Sequence, residues 1–219
     1  MPQGPNRRVG ERYVASPKEL EKKLNLFLDP AGRNSTDLLI RGAYWLAFAG
    51  LKISDIYDIK ISNILLKNKA VHYGRRVYRL RDEAMQTIIK LIELEKFWYF
   101  HPNYEPKLRL RMQSDYLLRG IRSEHLSESA LGCMIRNKSA GTEFNIDLKS
   151  AQLSGIYYDI LEGELTGVET NFLAIATEMN PPDSTVKMNQ KKASLLRDGY
   201  LEWRSVFYPE LSDGDLTEF

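Results

Sequence analysis

Cysteine and histidine are scarce in this chain of 219 residues. It contains one cysteine, Cys133, and three histidines that lie far apart in the sequence. A single cysteine excludes a disulfide framework within the chain, and these few residues do not have the spacing of a structural zinc site. We therefore expect a protein of a reducing compartment that holds no metal and needs no cofactor.

Long apolar runs are missing as well. The longest candidate, residues 43–51 (AYWLAFAGL), is much shorter than the roughly 18 residues that a membrane-spanning helix needs. The first residues have no apolar stretch behind their basic residues, so they do not have the pattern of a secretory signal peptide. We expect a cytoplasmic protein with no membrane partner, and its hydrophobic content of 43% is enough to bury a core.

Charge is distributed unevenly along the chain. The net charge is only +2, but residues 210–219 contain four acidic residues and no basic one. Between Lys60 and Arg81 there are seven lysines and arginines and no acid, and between Lys107 and Arg122 there are five against one acid. Clusters of this kind are typical of a surface that contacts phosphate groups, and equally of an ordinary solvated face.

The pattern predicts three parts: a disordered arm or linker over residues 1–12, a single domain over 13–208, and an acidic tail over 209–219. Ser16, followed by Pro17 and Glu19, forms a helix-capping signal, and Asn34 precedes a helix that is apolar nearly all round. Short strands are predicted over residues 61–65, 70–73 and 76–80. Further helices are predicted over residues 54–57, 83–95, 114–119, 127–138, 147–162, 168–179 and 184–204. The predicted fold class is therefore mainly α with a small antiparallel β-sheet.

Four segments, in this order, carry a resemblance to a known family. Residues 49–56 (AGLKISDI) resemble the "TGLRISEL" box of tyrosine recombinases, the phage integrases. Residues 76–84 (RVYRLRDEA), with the strands before them, resemble that family's hairpin and its "R-x-V-P-L-x-x-E-A" exit. Residues 126–141 resemble the helix before the second active-site box, and residues 147–163 resemble the box "H-D-L-R-H-T-F-A-T-H-L-L-E-x-G". The resemblance covers residues 35–180 and implies the catalytic-domain fold of that family.

The same resemblance implies that the catalytic residues are largely missing. Tyrosine recombinases attack a DNA phosphodiester with a tyrosine and stabilise the transition state with two arginines and a histidine or lysine. On the resemblance, the two arginine positions are Lys52 and Lys149, and the histidine position is Ile146. Lysine does not reproduce the planar two-pronged contact of arginine. Tyr200 is the candidate nucleophile, or else an aromatic residue packed beside Trp203.

Both former arginine positions keep a positive charge, which is what contact with a DNA backbone requires. We therefore interpret the chain as a DNA-binding protein on a degenerate tyrosine-recombinase fold. It would be a phage or prophage regulator, either a repressor or an accessory factor, without strand cleavage. The residues expected to contact double-stranded DNA are Lys52, Lys67, Lys69, Arg75, Arg76, Arg109, Arg111, Arg119, Arg136, Lys138 and Lys149.

Two other interpretations stay open. The first is an active but divergent recombinase that uses Tyr200 as its nucleophile, with Lys52 and Lys149 as electrostatic stabilisers. The second is a protein-interaction module, whose features are the acidic tail over residues 209–219 and the aromatic segment over residues 97–104. Alternatively, the tail mediates self-association. Cys133 is expected to be a small buried hydrophobic residue.

Overall fold

The computed structural model describes residues 8–101, 104–110, 113–120, 123–181 and 183–211. The helices are α1 (Arg8–Arg12), α2 (Pro17–Leu24), α3 (Ser35–Phe48), α4 (Ile53–Ile56), α5 (Asp82–Glu93), α6 (Glu128–Ser139), α7 (Leu148–Leu165), α8 (Phe172–Met179) and α9 (Val186–Phe207). The strands are β1 (Ile64–Leu65), β2 (Ala70–Tyr73), β3 (Arg76–Arg79), β4 (Lys96–His101) and β5 (Tyr104–Leu110). The predicted class, mainly α with a small antiparallel sheet, is confirmed. Among the described residues, none of the helices combines the length and hydropathy that crossing a bilayer requires.

Helix α3 lies at the centre of the core. The side chain of Asn34 accepts a hydrogen bond from the backbone of Thr36 and begins the helix, as the sequence predicts. Every residue from Asp37 to Phe48 is buried, because α5 and α7 pack on the helix from different directions. Gly50 ends it with a φ of 93°, a conformation that residues with a side chain rarely adopt. The chain leaving the core at this point leads directly into the segment that carries Lys52.

Helix α7 crosses α3 at an unusually short distance. A Cβ atom added to Gly155 would lie 1.7 Å from the carbonyl oxygen of Phe48, so only glycine fits at the crossing. Just before the helix, the backbone of Ile146 accepts a hydrogen bond of 2.6 Å from the hydroxyl of Tyr44, and Asp147 caps the first turn. These contacts fix the amino-terminal end of α7 against the carboxyl-terminal end of α3.

Helix α9 forms a second buried cluster with α7. Tyr200 and Trp203 are fully buried and pack against Tyr157. The indole nitrogen of Trp203 also donates a hydrogen bond of 3.0 Å to the carbonyl of Val14. The amino-terminal residues and α9 therefore close over the same face of α7.

Strands β1, β2 and β3 form an antiparallel sheet in that order, with Gly74 in the turn between β2 and β3 at a φ of 61°. Arg81 follows β3, and its guanidinium forms ion pairs with Asp159 and, at 2.8 Å, with Glu162 of α7. The Arg81 side chain also lies over the ring of Tyr158. This network fixes the base of the β2–β3 hairpin against the carboxyl-terminal half of α7.

Several sequence predictions about secondary structure are wrong. The strand predicted over residues 61–65 is limited to Ile64–Leu65, because Ile61–Asn63 form a 3₁₀-helix, and the helix predicted over residues 168–179 begins at Phe172. Residues 8–12, expected to be disordered, form α1, because Val9 is buried and the helix packs on α9; residues 1–7 lie outside the described part. Residues 114–119, expected to be helical, form a bent, non-helical segment in which Tyr116 makes an isolated bridge with Lys60: the backbone of Ile61 donates to Asp115, and that of Leu117 donates to Ile59. Pairing with this distant segment replaces the hydrogen bonds that a local helix would make.

Two further differences concern α6 and residues 96–110. The sequence pattern predicts no helix or strand over residues 96–110. In the structure, β4 pairs with β5 there as a second antiparallel hairpin. Cys133, expected to be buried, is exposed, because α6 turns Leu131 into the core and the cysteine away from it.

The crossing of α3 and α7 predicts a strong difference between two glycines. Gly155→Ala should lower the free energy of unfolding by about 3 kcal/mol or more, because its methyl group overlaps backbone atoms of α3. Gly132→Ala, in α6, is the matched control: a Cβ there meets nothing within 4 Å. It should raise the free energy of unfolding by up to about 1 kcal/mol. Urea unfolding followed by circular dichroism measures both, and equal effects would contradict the close crossing.

Candidate nucleic-acid interface

The structure brings Lys52 and Lys149 to one place although they are far apart in the sequence. Lys52 caps α4, directly after the turn that ends α3, and its ammonium group donates a hydrogen bond of 3.2 Å to the carbonyl of Asn180. Lys149 lies in the first turn of α7, and its ammonium group donates a hydrogen bond of 2.7 Å to the side chain of Gln152.

Gln152 connects the two lysine positions. Its side chain is buried, and its amide nitrogen donates to the carbonyl of Gly50 at 3.2 Å and to that of Leu51 at 2.8 Å. These are the two residues before Lys52. One side chain therefore contacts both the backbone next to Lys52 and the ammonium group of Lys149.

Lys192 of α9 is a third cation at this place, and we call Lys52, Lys149 and Lys192 the lysine cluster. Burial lowers the pKa of the Lys149 ammonium group, the nearby charge of Lys192 lowers it further, and Asp147 opposes both effects. Within the described ranges, none of the three lysines forms an ion pair with a carboxylate. The carboxylate of Asp147, which acts on Lys149, pairs with Arg12 at 3.8 Å, so the cluster keeps an excess of positive charge.

Other cations extend the positive surface on both sides of the lysine cluster. Arg75 and Arg76, at the tip of the β2–β3 hairpin, line a groove of about 1280 Å³ together with Gly50. Arg136 and Lys149 line a second groove, of about 510 Å³, between α6 and the start of α7. Lys67 is exposed beside the hairpin. The first groove reaches Gly50 and the second reaches Lys149, so both grooves border the region where the end of α3 meets the start of α7.

Four acidic residues line the larger groove: Asp159, Glu162, Glu169 and Glu178. Asp159 and Glu162 pair with Arg81, and Glu162 also pairs with Arg79, so their charges are balanced within the protein. The described residues show no ion pair for Glu169 and Glu178, which therefore reduce the net positive charge of this groove.

Two of the expected DNA contacts are engaged in ion pairs that stabilise the fold. Lys69 pairs with Asp82 at 2.6 Å, at the end of the sheet. Lys138 pairs at 2.7 Å with Asp37, a buried carboxylate in the first turn of α3. Lys138 in particular neutralises a charge that would otherwise be buried alone.

Arg119 is a correction to the expected set of contacts. Its side chain is buried, its guanidinium donates to the carbonyl of Ser114, and burial lowers its pKa. Because the side chain is directed into the protein, it is not presented to DNA. Arg111 and the side chain of Arg109 lie outside the described residues.

Ile146 and Tyr200 both belong to the core. Ile146, at the position that the resemblance gives to a histidine, is buried beside Tyr44. The Tyr200 hydroxyl donates a hydrogen bond to the carboxylate of Glu164, and its ring stacks beside Trp203. Burial and the Glu164 carboxylate both raise the pKa of Tyr200, so its phenol stays neutral inside the molecule.

The sequence analysis missed Gln152, Lys192 and Asn180. Gln152 could have been found, because it lies three residues after Lys149 and so on the same face of a helix. Lys192 lies in a visibly lysine-rich helix, but only the packing of α9 on α7 places it beside Lys149. Asn180 contacts Lys52 through its backbone carbonyl. Every residue type has this group, so the sequence does not indicate the contact.

Comparison with known proteins gives one structural likeness. No protein-family model matches the chain, and no curated protein does. Among solved structures, it is similar to the integrase of the transposon Tn1549 in complex with a circular intermediate DNA, at 12% identity and a TM-score of 0.46. The likeness covers 84% of this chain and 62% of that one, so the chain spans less than two thirds of its length. At this degree of likeness, function has to be inferred from the chain's own residues.

The environment of Tyr200 leads to a test of its structural role. Tyr200→Phe should lower the free energy of unfolding by about 1 kcal/mol, because the hydrogen bond to Glu164 is lost while Arg204 still pairs with that carboxylate. Tyr116→Phe is the matched control, since this half-buried ring has no hydroxyl hydrogen bond in the described structure; it should change stability by less than about 0.5 kcal/mol. Equal stability of both variants would show that Glu164 does not hold the Tyr200 hydroxyl.

Proposed function

We propose that this chain is a DNA-binding protein on a tyrosine-recombinase-like fold that holds the DNA backbone without cleaving it. One observation carries the proposal: Lys52 and Lys149, which the resemblance aligns with the family's two arginines, meet around Gln152 and form no ion pair with a carboxylate of the described residues. Two positions that the sequence pattern assigns to phosphate contact are thus neighbours in space, although nothing local in the sequence brings them together.

The electrostatics of the lysine cluster favour an anionic ligand. Burial lowers the pKa of Lys149, and the neighbouring charge of Lys192 lowers it further, so both effects disfavour the charged form of this lysine. A phosphate group would remove that repulsion by neutralising the site. Lysine suits this role because it is a compact charge with three hydrogen-bond donors.

The surrounding surface is consistent with an extended ligand. Arg75 and Arg76 on one side and Arg136 on the other carry the positive charge beyond the lysine cluster. Contacts spread over separate elements suit a polymer of phosphates better than a single small anion.

Cleavage of the DNA strand is not what this site supports. The transition state of phosphodiester attack needs donors arranged in advance around its charge, and lysine lacks the rigid fork of arginine. Ile146 is a core residue at the histidine position, and the Tyr200 hydroxyl is engaged with Glu164. A protein that binds a DNA site without cleaving it either occupies the site or changes its shape. These are the functions of a phage or prophage repressor or of an accessory factor.

The proposal predicts salt-dependent DNA binding that depends on the lysine cluster. Lys52→Gln and Lys149→Gln should each weaken binding to a fluorescent duplex by a similar factor for any sequence. Each should also reduce the slope of log affinity against log salt by about one. Fluorescence anisotropy over a salt series measures both quantities. Lys22→Gln, an exposed lysine of α2, is the matched control and should leave the slope unchanged. Absence of binding at low salt, or an equal loss in the control, would contradict the proposal.

The regulatory part of the proposal needs a measurement of sequence preference. Fragmented genomic and prophage DNA can be retained on the purified chain and sequenced. Retained fragments that share a motif would support a repressor, and retention without a motif would support an accessory factor that binds the DNA backbone.

The absence of cleavage is tested by a covalent trap. We expect no protein–DNA adduct that survives denaturant when the chain is mixed with the fragments it retains, because the Tyr200 hydroxyl is buried and hydrogen-bonded. Gel analysis of labelled DNA under denaturing conditions makes the measurement. An adduct that disappears in Tyr200→Phe would overturn this part of the proposal and favour an active recombinase.

A further inference from the structure

The side-chain amide of Gln152 uses its full donor capacity inside the protein. Its two N–H groups go to the carbonyls of Gly50 and Leu51, and its oxygen accepts from the ammonium group of Lys149. The orientation of the amide follows from these partners, since two carbonyl oxygens can be met only by its nitrogen. Gln152 is thus locked at three points while it is almost completely buried.

Each neighbouring lysine keeps donors for a ligand. An ammonium group has three N–H donors. Lys149 spends one on Gln152 and Lys52 spends one on the carbonyl of Asn180, so the described contacts leave two donors on each. Flexible lysines lose considerable side-chain entropy when they bind a ligand, and contacts made beforehand reduce that cost.

The hydrogen bonds continue into the connection between α8 and α9. The side-chain nitrogen of Asn180 donates to the side-chain oxygen of Asn189 at 2.7 Å. One continuous set of contacts thus runs from Lys149 through Gln152 and the Gly50–Lys52 segment to Asn180 and α9. Gln152 lies at its centre, where the end of α3 meets the start of α7.

We infer that Gln152 is a positioning residue for phosphate binding, which orients Lys149 directly and Lys52 through the backbone of Gly50 and Leu51. This inference rests on the proposed function, because it requires both lysines to contact DNA. The inference adds that Gln152, a buried and uncharged side chain that does not contact DNA, controls the affinity of the protein for DNA. A purely structural role for Gln152 would instead affect stability and leave the contribution of Lys149 to binding unchanged.

A double-mutant cycle separates these two roles. Gln152→Met keeps the length of the side chain and removes all three hydrogen bonds. In the full chain, it should weaken binding to a duplex of random sequence by about tenfold and lower the salt slope by about one. Adding Lys149→Gln to Gln152→Met should then have little further effect, although it weakens binding in the wild-type background. Gln86→Met, an exposed glutamine of α5, is the matched control and should leave affinity and slope unchanged.

Each contrary result has its own meaning. If the effects of Gln152→Met and Lys149→Gln add, or if Gln152→Met binds like the wild type, Gln152 does not position Lys149 and the inference is wrong. If Lys149→Gln and Lys52→Gln have no effect in the wild-type background, the proposed function itself has failed, before Gln152 is considered. All variants are compared at a temperature where circular dichroism shows them folded.

A second measurement does not depend on DNA. Acetic anhydride labels lysines, and mass spectrometry gives the labelling of Lys149 relative to Lys22 in the same sample. Loss of the Gln152 contact should raise that ratio several-fold in Gln152→Met, because the ammonium group is released from the helix surface. An unchanged ratio would overturn the inference. If Gln152→Met does not fold, Gln152→Asn replaces it, since a shorter amide cannot reach Lys149 and both carbonyls together.

Discussion

The contact between Gly155 and the backbone of Phe48 is the constraint on which the rest of the site depends. Because a Cβ at position 155 would overlap the carbonyl of Phe48, the two helices can approach only with glycine there. Gln152 lies about one turn earlier on the same face of α7. The side-chain amide of Gln152 therefore reaches the turn that ends α3, where it donates hydrogen bonds to the carbonyls of Gly50 and Leu51. A larger spacing between the helices would leave those carbonyls and the amide unpaired, at a cost of about 1–3 kcal/mol for each buried group.

The same packing separates the positive charge of the site from the side chains of Ile146 and Tyr200. Lys52 and Lys149 lie where the helices meet, and both keep a positive charge that can attract phosphate. Ile146 and Tyr200 belong to the two hydrophobic clusters, one through Tyr44 and the other through Trp203. Binding of a phosphate depends on charge, whereas cleavage depends on each donor and on the nucleophile.

The sequence predicted what depends on local chemistry. The helix caps predicted at Ser16 and Asn34 are confirmed, because each side chain accepts a hydrogen bond from a backbone N–H within three residues. The sequence could not show that residues 114–119 pair with residues 59–61, since that partner is remote. For the same reason, Lys138 and Arg119 looked like candidate phosphate contacts: only the fold reveals the carboxylate of Asp37 beside one and the closed environment around the other.

Helix α7 connects the lysine cluster with the anchor of the β2–β3 hairpin. Its first turn carries Lys149, and about 20 Å farther along its axis Glu162 pairs with Arg81, which fixes the base of the hairpin. The tip of the hairpin lines the same groove as Gly50, so its arginines border the region of the lysine cluster. The contributions of the hairpin arginines and of the lysine cluster to affinity should add, because the two groups share no hydrogen-bond partner among the described residues. Lys52 and Lys149 are in the opposite situation, since both depend on the single amide of Gln152.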